Sequence, residues 1–461
     1  MKTFITVFFT LFLIYSKMYS QEKILTLTSE EKEIAIEKAA SLLSRFYVYP
    51  EIAEKMISHI KSQQQAELFD KITDPTEFAN ALTKELRTIC DDKHLALFIG
   101  SNPDQQASEE RVLRRTLDNL YRERNNYGIN KLEILQGNIG YMNIRTALYF
   151  DQVKEIIDNS LRFLSKTDVL IFDLRENGGG DPQFMAYLFS YLFEKPTQLS
   201  SIYFRDRDKT YDFWTSEKVA GKKMADIPVF VLTSKITFSA AESFAYDLQT
   251  YKRATIVGEN TKGGANPASS WVVYKDLRIS IPLGRAINPL TKTNWEGKGV
   301  KPDIEVTADS ALAIAHKEAL TITNKCLEEK KKRITESFGQ FNTDISNAVK
   351  QFEANQPKKA DSLVINALSN AIRDFQYSEH QINSLGYDFI NQRNYKMAIS
   401  ILNYNATTFP NSSNAFDSLG EAYMKNGQKD KAIESYEKSL ELNPNNTNAK
   451  EMLKQLKYMT K

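Results

Sequence analysis

Between residues 132 and 307, apolar residues fall in short blocks rather than at helical spacing. ILQGNIGYMNI, TDVLIFDLR, DIPVFVLTS, RATIVGE, WVVY and LRISIPLG are rich in branched residues and predict strands. VLIFDL and VFVL are continuous rather than alternating, the pattern of strands covered on both faces. The stretches between them, YFDQVKEIIDNSLRFLS, FMAYLFSYLFE and AAESFAYDLQTYK, carry helical spacing. Strands alternating with helices argue for an α/β core over 132–307.

The flanks are helical. Thr28 or Ser29 can cap EEKEIAIEKAASLLSRFY, and TDPTEFANALTKELRTI opens on Asp74 and Pro75, so residues 21–105 predict an amino-terminal helical domain. Residues 106–131 are polar and charged and form a connector, and 308–378 predict a helical linker or a degenerate repeat. Residues 379–461 repeat at a shift of 34: Leu385, Gly386, Phe389, Ala398, Leu402 and Pro410 correspond to Leu419, Gly420, Tyr423, Ala432, Tyr436 and Pro444. Period and pattern resemble the tetratricopeptide repeat, with TNAKEMLKQLKYM as a closing helix, and that resemblance implies a protein partner.

Charge changes this picture only by exclusion. A formal net charge of +2 over 461 residues leaves no footprint for nucleic acid, and KKKR at Lys330–Arg333 is a solvated helix face. Lys2, the apolar run Phe4 to Tyr15 and the polar exit at Ser20 form a secretory signal over 1–20, too short for a membrane span. The mature chain is therefore expected to be exported, periplasmic or secreted, with no stable span. Cys90 and Cys326 are too distant in sequence to decide whether they pair. His59, His94, His316 and His380 lie apart and no CxxC occurs, so neither metal nor cofactor is expected.

Candidate chemistry begins in KITFSAAESFAYDL. Ser239 and Glu242 at a helix mouth form a capping box, and the same geometry sets a hydroxyl beside unpaired amides able to hold an oxyanion. In DLRENGGGDP, Asp173 closes a strand and Gly178, Gly179 and Gly180 admit close backbone approach. His94 lies in CDDKHLALF, Glu296 in TNWEGKGVKPDIEV and Lys262 in GENTKGGANP. Taken singly, a lone histidine is usually structural and a loop glutamate usually solvated.

As an ordered set, these motifs resemble a serine peptidase family. It comprises the C-terminal-processing (tail-specific) peptidases, the tricorn-core peptidases and the repeats of the interphotoreceptor retinoid-binding protein. The resemblance spans roughly residues 35–307 and implies a crotonase-like ββα spiral core between the helical domain and the repeats. The tail-specific branch uses a Ser–Lys dyad, but its lysine position is here Gly264, with Lys262 displaced by two. The tricorn-like branch uses serine, histidine and glutamate, which map onto Ser239, His94 and Glu296. The resemblance further implies an oxyanion hole of Ala240 with Gly179 or Gly180 and a polypeptide or oligopeptide substrate. Lys93 stands where tricorn-like sites carry a hydroxyl, leaving the ring orientation of His94 open. The roughly forty residues between His94 and Asn138 leave no room for a PDZ domain. The competing expectation is an inactive scaffold binding peptides or apolar ligands.

Overall fold

The computed structural model describes residues 26–100, 108–147 and 150–458; the expected signal segment 1–20 lies outside them. Two units are present, residues 1–324 and 325–461. In chain order the first holds α1 (Ser29–Phe46), α2 (Pro50–Gln65), α3 (Pro75–Ile89), β1 (Ala96–Ile99), α4 (Ser108–Arg124), β2 (Ile129–Leu135), β3 (Ile139–Ile144), α5 (Phe150–Leu164), β4 (Val169–Asp173) and α6 (Pro182–Ser190). There follow β5 (Ser201–Phe204), β6 (Lys209–Tyr211), β7 (Val229–Thr233), α7 (Ala240–Thr250), β8 (Thr255–Gly258), β9 (Ala268–Tyr274), β10 (Leu277–Pro282), β11 (Gly284–Ile287) and β12 (Ile304–Glu305). The unit boundary falls within α8 (Ala308–Glu353).

A six-stranded sheet of order β12-β8-β7-β4-β3-β2 forms the core; all its pairs are parallel except β2 with β3. β4 shows why its sequence is continuously apolar. Leu170 and Phe172 enter one buried cluster with α5, α6 and α7, whereas Val169 and Ile171 enter another with Ala311, Ala315 and Ala319 of α8. Alternate side chains point to opposite faces, and both faces are covered.

The amino-terminal helices are not self-contained. β1 pairs antiparallel with β10, Leu97 opposite Ile279, and β10 with β9, making a second sheet from segments about 180 residues apart. Ala35, Leu43, Phe78 and Leu86 of α1 and α3 share one core with Leu97, Ile279 and Ile281 of that sheet. A third sheet orders β11-β5-β6. Residues 108–124, expected as connector, form α4, and Asp74 caps α3 by accepting from the Thr76 and Glu77 amides.

Lys32 of α1 is 4 % exposed and pairs with no carboxylate among the described residues; its ammonium donates to the carbonyls of Phe69, Asp70 and Ile72 at 2.8, 2.9 and 3.2 Å. These bonds fasten the turn after α2 to α1, each being a charge-assisted bond to an otherwise partly orphaned carbonyl.

The second unit continues through α9 (Pro357–Phe375), α10 (Glu379–Asn391), α11 (Tyr395–Thr408), α12 (Ser413–Lys425), α13 (Lys429–Leu442) and α14 (Thr447–Tyr458). An added side chain at Gly386 would collide with Leu402, and one at Gly420 would crowd the Tyr436 ring, so the small–large correspondence of the repeat is a packing contact. Lys330–Arg333 are exposed on α8, where Lys331 pairs with Glu328 at 2.8 Å. Cys90 and Cys326 are both free thiols. No helix of the described residues is long and apolar enough to cross a membrane.

Replacing Lys32 by Met keeps the stem and removes the three bonds. The Lys32→Met chain is expected to lose about 2 kcal/mol of unfolding free energy in urea titration; an unchanged midpoint would show that those carbonyls need no donor.

Candidate active site

Ser239 occupies the turn from β7 into α7 with φ 56° and ψ −120°, a left-handed conformation for a residue with a side chain. Such backbone is strained by about 1–3 kcal/mol and persists only where surroundings dictate it. Here they do. The Phe238 amide donates to Asn177 O at 3.0 Å, the Thr237 hydroxyl to Leu174 O at 2.8 Å, and the Ser239 amide to Glu242 Oε2 at 2.8 Å. The Glu242 side chain thus reaches back to its N-cap residue, as S-x-x-E predicts.

Glu242 does more than cap. It is wholly buried, and its two oxygens also accept from the Thr261 hydroxyl at 2.5 Å and the Gly263 and Gly264 amides at 2.6 and 2.9 Å. One carboxylate therefore ties the serine turn to the loop 261–264. Burial pushes its carboxyl up from the usual range, and the four donors act in the opposite direction.

The glycine loop after β4 packs against the same turn. Gly179 has φ 97°, and a Cβ there would stand 2.7 Å from Ser239 Cβ, so only glycine permits this approach. Its amide donates to Asn177 Oδ1 at 2.8 Å, while Asn177 Nδ2 donates to Ile144 O at 3.0 Å. Gly179 is therefore not a free oxyanion donor. The Gly180 amide and the Ala240 amide at the first position of α7 have no hydrogen-bond acceptor among the described residues.

His94 lies in the turn between α3 and β1. Its amide donates to Asp92 Oδ1 at 3.0 Å, and Arg87 donates to the flanking Lys93 and Leu95 carbonyls, both at 2.9 Å. Lys93 turns away to pair with Asp91. The imidazole stacks on Phe238 with centroids 4.4 Å apart and planes at 29°. A Cβ at position 264 would stand 2.1 Å from the Phe238 ring and 2.8 Å from His94 Cε1. A lysine at that position would therefore displace the ring stack. Lys262 is exposed, with its ammonium 4.6 Å from the Phe238 centroid.

Glu296 enters from the loop before β12. Its Oε2 accepts from the Ala265 and Asn266 amides at 2.6 and 3.0 Å, while Oε1 is buried without a partner. His94 Nδ1 is likewise buried and unpartnered. Asp92, His94 and Glu296 offer side-chain atoms that all lie within 4.8 Å of one another. Burial, then the charges of Lys262 and Arg87, hold the His94 imidazole down to about 4. Burial, then the Asp92 charge, push the Glu296 carboxyl up.

Ser239, His94, Gly180 and Ala240 line one cavity of about 320 Å³. No hydrogen bond joins Ser239 to His94, or His94 to Glu296, among the described residues. The cavity continues past Met185, Phe189, Leu199, Phe213 and Trp295, a mostly apolar wall. Sequence reasoning missed Asn177, Asp92 and Phe238. Asn177 stands inside the quoted glycine motif and Asp92 two residues before His94, so position was the available signal; the Phe238 stack left none.

Residues 138–306 match peptidase family S41, residues 16–123 the N-terminal domain of peptidase S41 in eukaryotic IRBP, and residues 418–446 the tetratricopeptide repeat. The chain is similar to a tail-specific protease of Haemophilus influenzae, 34% identical over 123 residues, covering 26% of this chain and 16% of that protein. It is similar to a carboxyl-terminal-processing protease of Picosynechococcus, 28% identical over 167 residues, covering 36% and 38%. The chain thus spans well under two thirds of the length of either relative. Among solved structures, a putative peptidase from Parabacteroides merdae aligns at 18% identity with a TM-score of 0.44, over 64% of this chain and 97% of that one.

Two outcomes test this geometry. Glu242→Gln turns an amide towards donors that now meet an oxygen; it is expected to lose about 3 kcal/mol of stability in denaturant melts. Retained stability would show that the turn does not depend on this carboxylate. Glu296 is raised in the fold, so its contribution is fully present below its unfolded value of about 4.3 and is lost as pH rises through the folded value. Glu296→Gln should therefore gain melting temperature relative to the parent as pH rises from about 5 to 8. Parallel pH profiles for the two proteins would contradict it.

Proposed function

We propose that this chain, which carries a peptidase family S41 domain, is a serine peptidase acting on polypeptides or oligopeptides through Ser239, His94 and Glu296. The observation that carries the reading is the meeting of Ser239 and His94 on one cavity, with Gly264 where a Ser–Lys enzyme needs its lysine. In this reading the core is a crotonase-like ββα spiral.

Ser239 Oγ attacks the scissile carbonyl as His94 takes its proton, and the imidazolium returns that proton to the leaving amine. Glu296 Oε1, now without a partner, accepts from His94 Nδ1–H and, once its raised carboxyl has ionised, steadies the cation. The two side chains close on each other when substrate excludes water, since catalytic hydrogen bonds commonly tighten only in the complex. The amides of Ala240 and Gly180 hold the oxyanion, each donor lowering the barrier by about 3 kcal/mol. The apolar cavity wall receives the side chain beside the scissile bond.

The segment 1–20 supports export to a periplasm or the cell exterior. The repeats offer a protein partner a cleft lined by Phe416, Leu419, Tyr423, Lys431 and Glu434. The rival function is a scaffold without turnover, favoured by the absence of a Ser239–His94 hydrogen bond.

Labelling by a fluorophosphonate separates the two, because only an activated serine reacts. Ser239→Ala should abolish labelling and peptide hydrolysis, and His94→Ala should reduce turnover by about a thousandfold or more. Lys262→Ala should keep most activity. An inactive Lys262→Ala beside an active His94→Ala would assign the base to the lysine.

A further inference from the structure

The helix α4 presents an apolar face to solvent. Val112 is 65% exposed, Leu113 42%, Leu117 45%, Leu120 48% and Tyr121 65%, and none of the five joins the packed clusters of the described residues. At 3.6 residues per turn, Leu113, Leu117 and Leu120 form one line, with Val112 and Tyr121 at its margins. Arg111, Arg115, Asp118 and Arg122 lie on the other side of the helix, and Arg114 stands beside Tyr121 at the margin. Large apolar side chains gathered this way mark an interaction surface.

Charge at the two ends of the face selects the occupant. Glu110 lies at its amino-terminal end and Arg124 at its carboxy-terminal end. Two such helices laid antiparallel about a twofold axis set Leu113 of each against Leu120 of the other, Leu117 next to the axis, and Glu110 of each beside Arg124 of the other. A face complementary to itself on reversal fits an isologous dimer. A lipid surface fits less well, because a helix lying in it on this face would press the Glu110 carboxylate against the acyl boundary.

We propose that α4 is an antiparallel self-association helix that pairs with α4 of a second copy of this chain. The inference does not rest on peptidase activity. A helix of 17 residues is about 25 Å long, so two of them bury less than the roughly 1,200–2,000 Å² of a stable standard interface. The dimer is therefore weak and reversible, with a dissociation constant on the order of micromolar.

Sedimentation velocity of the full chain from about 1 to 100 μM tests this. The parent protein should pass from monomer to dimer across that range, and Leu117→Glu should remain monomeric with an unchanged circular dichroism spectrum. Glu110→Arg and Arg124→Glu should each weaken the dimer at least about tenfold, since each sets like charges together. An equimolar mixture of those two variants restores both opposite-charge pairs and should dimerise as the parent does. A parent monomeric at the highest concentration, a dimer that survives Leu117→Glu, or a mixture no tighter than its components would overturn the proposal. So would binding to phosphatidylserine vesicles that depends on Leu117 in a chain that does not self-associate.

Discussion

Four donors converge on the buried carboxylate of Glu242, and through it the serine turn and the loop 261–264 become one rigid piece. A carboxylate taken out of water is tolerable only when its oxygens are satisfied. Its partners come from two places in the chain, Ser239 and the loop that carries Thr261, Gly263 and Gly264. The strained backbone at Ser239 is affordable because that network over-determines it. The free amide at Ala240 follows from the same geometry, since it is the first unpaired N–H of α7.

Position 264 shows how one side chain decides what fills a volume. With glycine there, the space beside Phe238 belongs to the imidazole of His94; with lysine there, the imidazole has nowhere to stack. The imidazole at 94 and a long side chain at 264 are alternatives for one volume. Buried, and with Lys262 and Arg87 nearby, the ring resists protonation and stands neutral.

Much of the core was legible because its strands are buried on both faces, and the alternation of Val169 and Ile171 against Leu170 and Phe172 leaves a continuous apolar run. The capping box at the serine turn was legible because Ser239 and Glu242 stand at the mouth of a helix after a strand. The sheet β1-β10-β9 was not, since nothing local in Leu97 or Ile279 announces a partner so distant in sequence. Nor was α4, where five large apolar residues are outnumbered by charge, so composition hid the spacing. Asn177 and Asp92 stood in view without a meaning, because an amide or carboxylate acquires its role only from neighbours the fold supplies. The division of labour within the glycine run is similar: sequence showed three equivalent glycines, and the Asn177 side chain occupies the amide of only one, Gly179.

The pairing of β1 with β10 has a bearing on the order in which the molecule is made. His94 stands two residues before β1, and β1 is held by residues 277–280, which emerge from the ribosome only after most of the first unit. Until then the histidine has no sheet to anchor it near Ser239, and Glu296 has not yet been synthesised. The groups that gather beside Ser239 are thus assembled late, by a topology that needs nearly the whole first unit before they can meet.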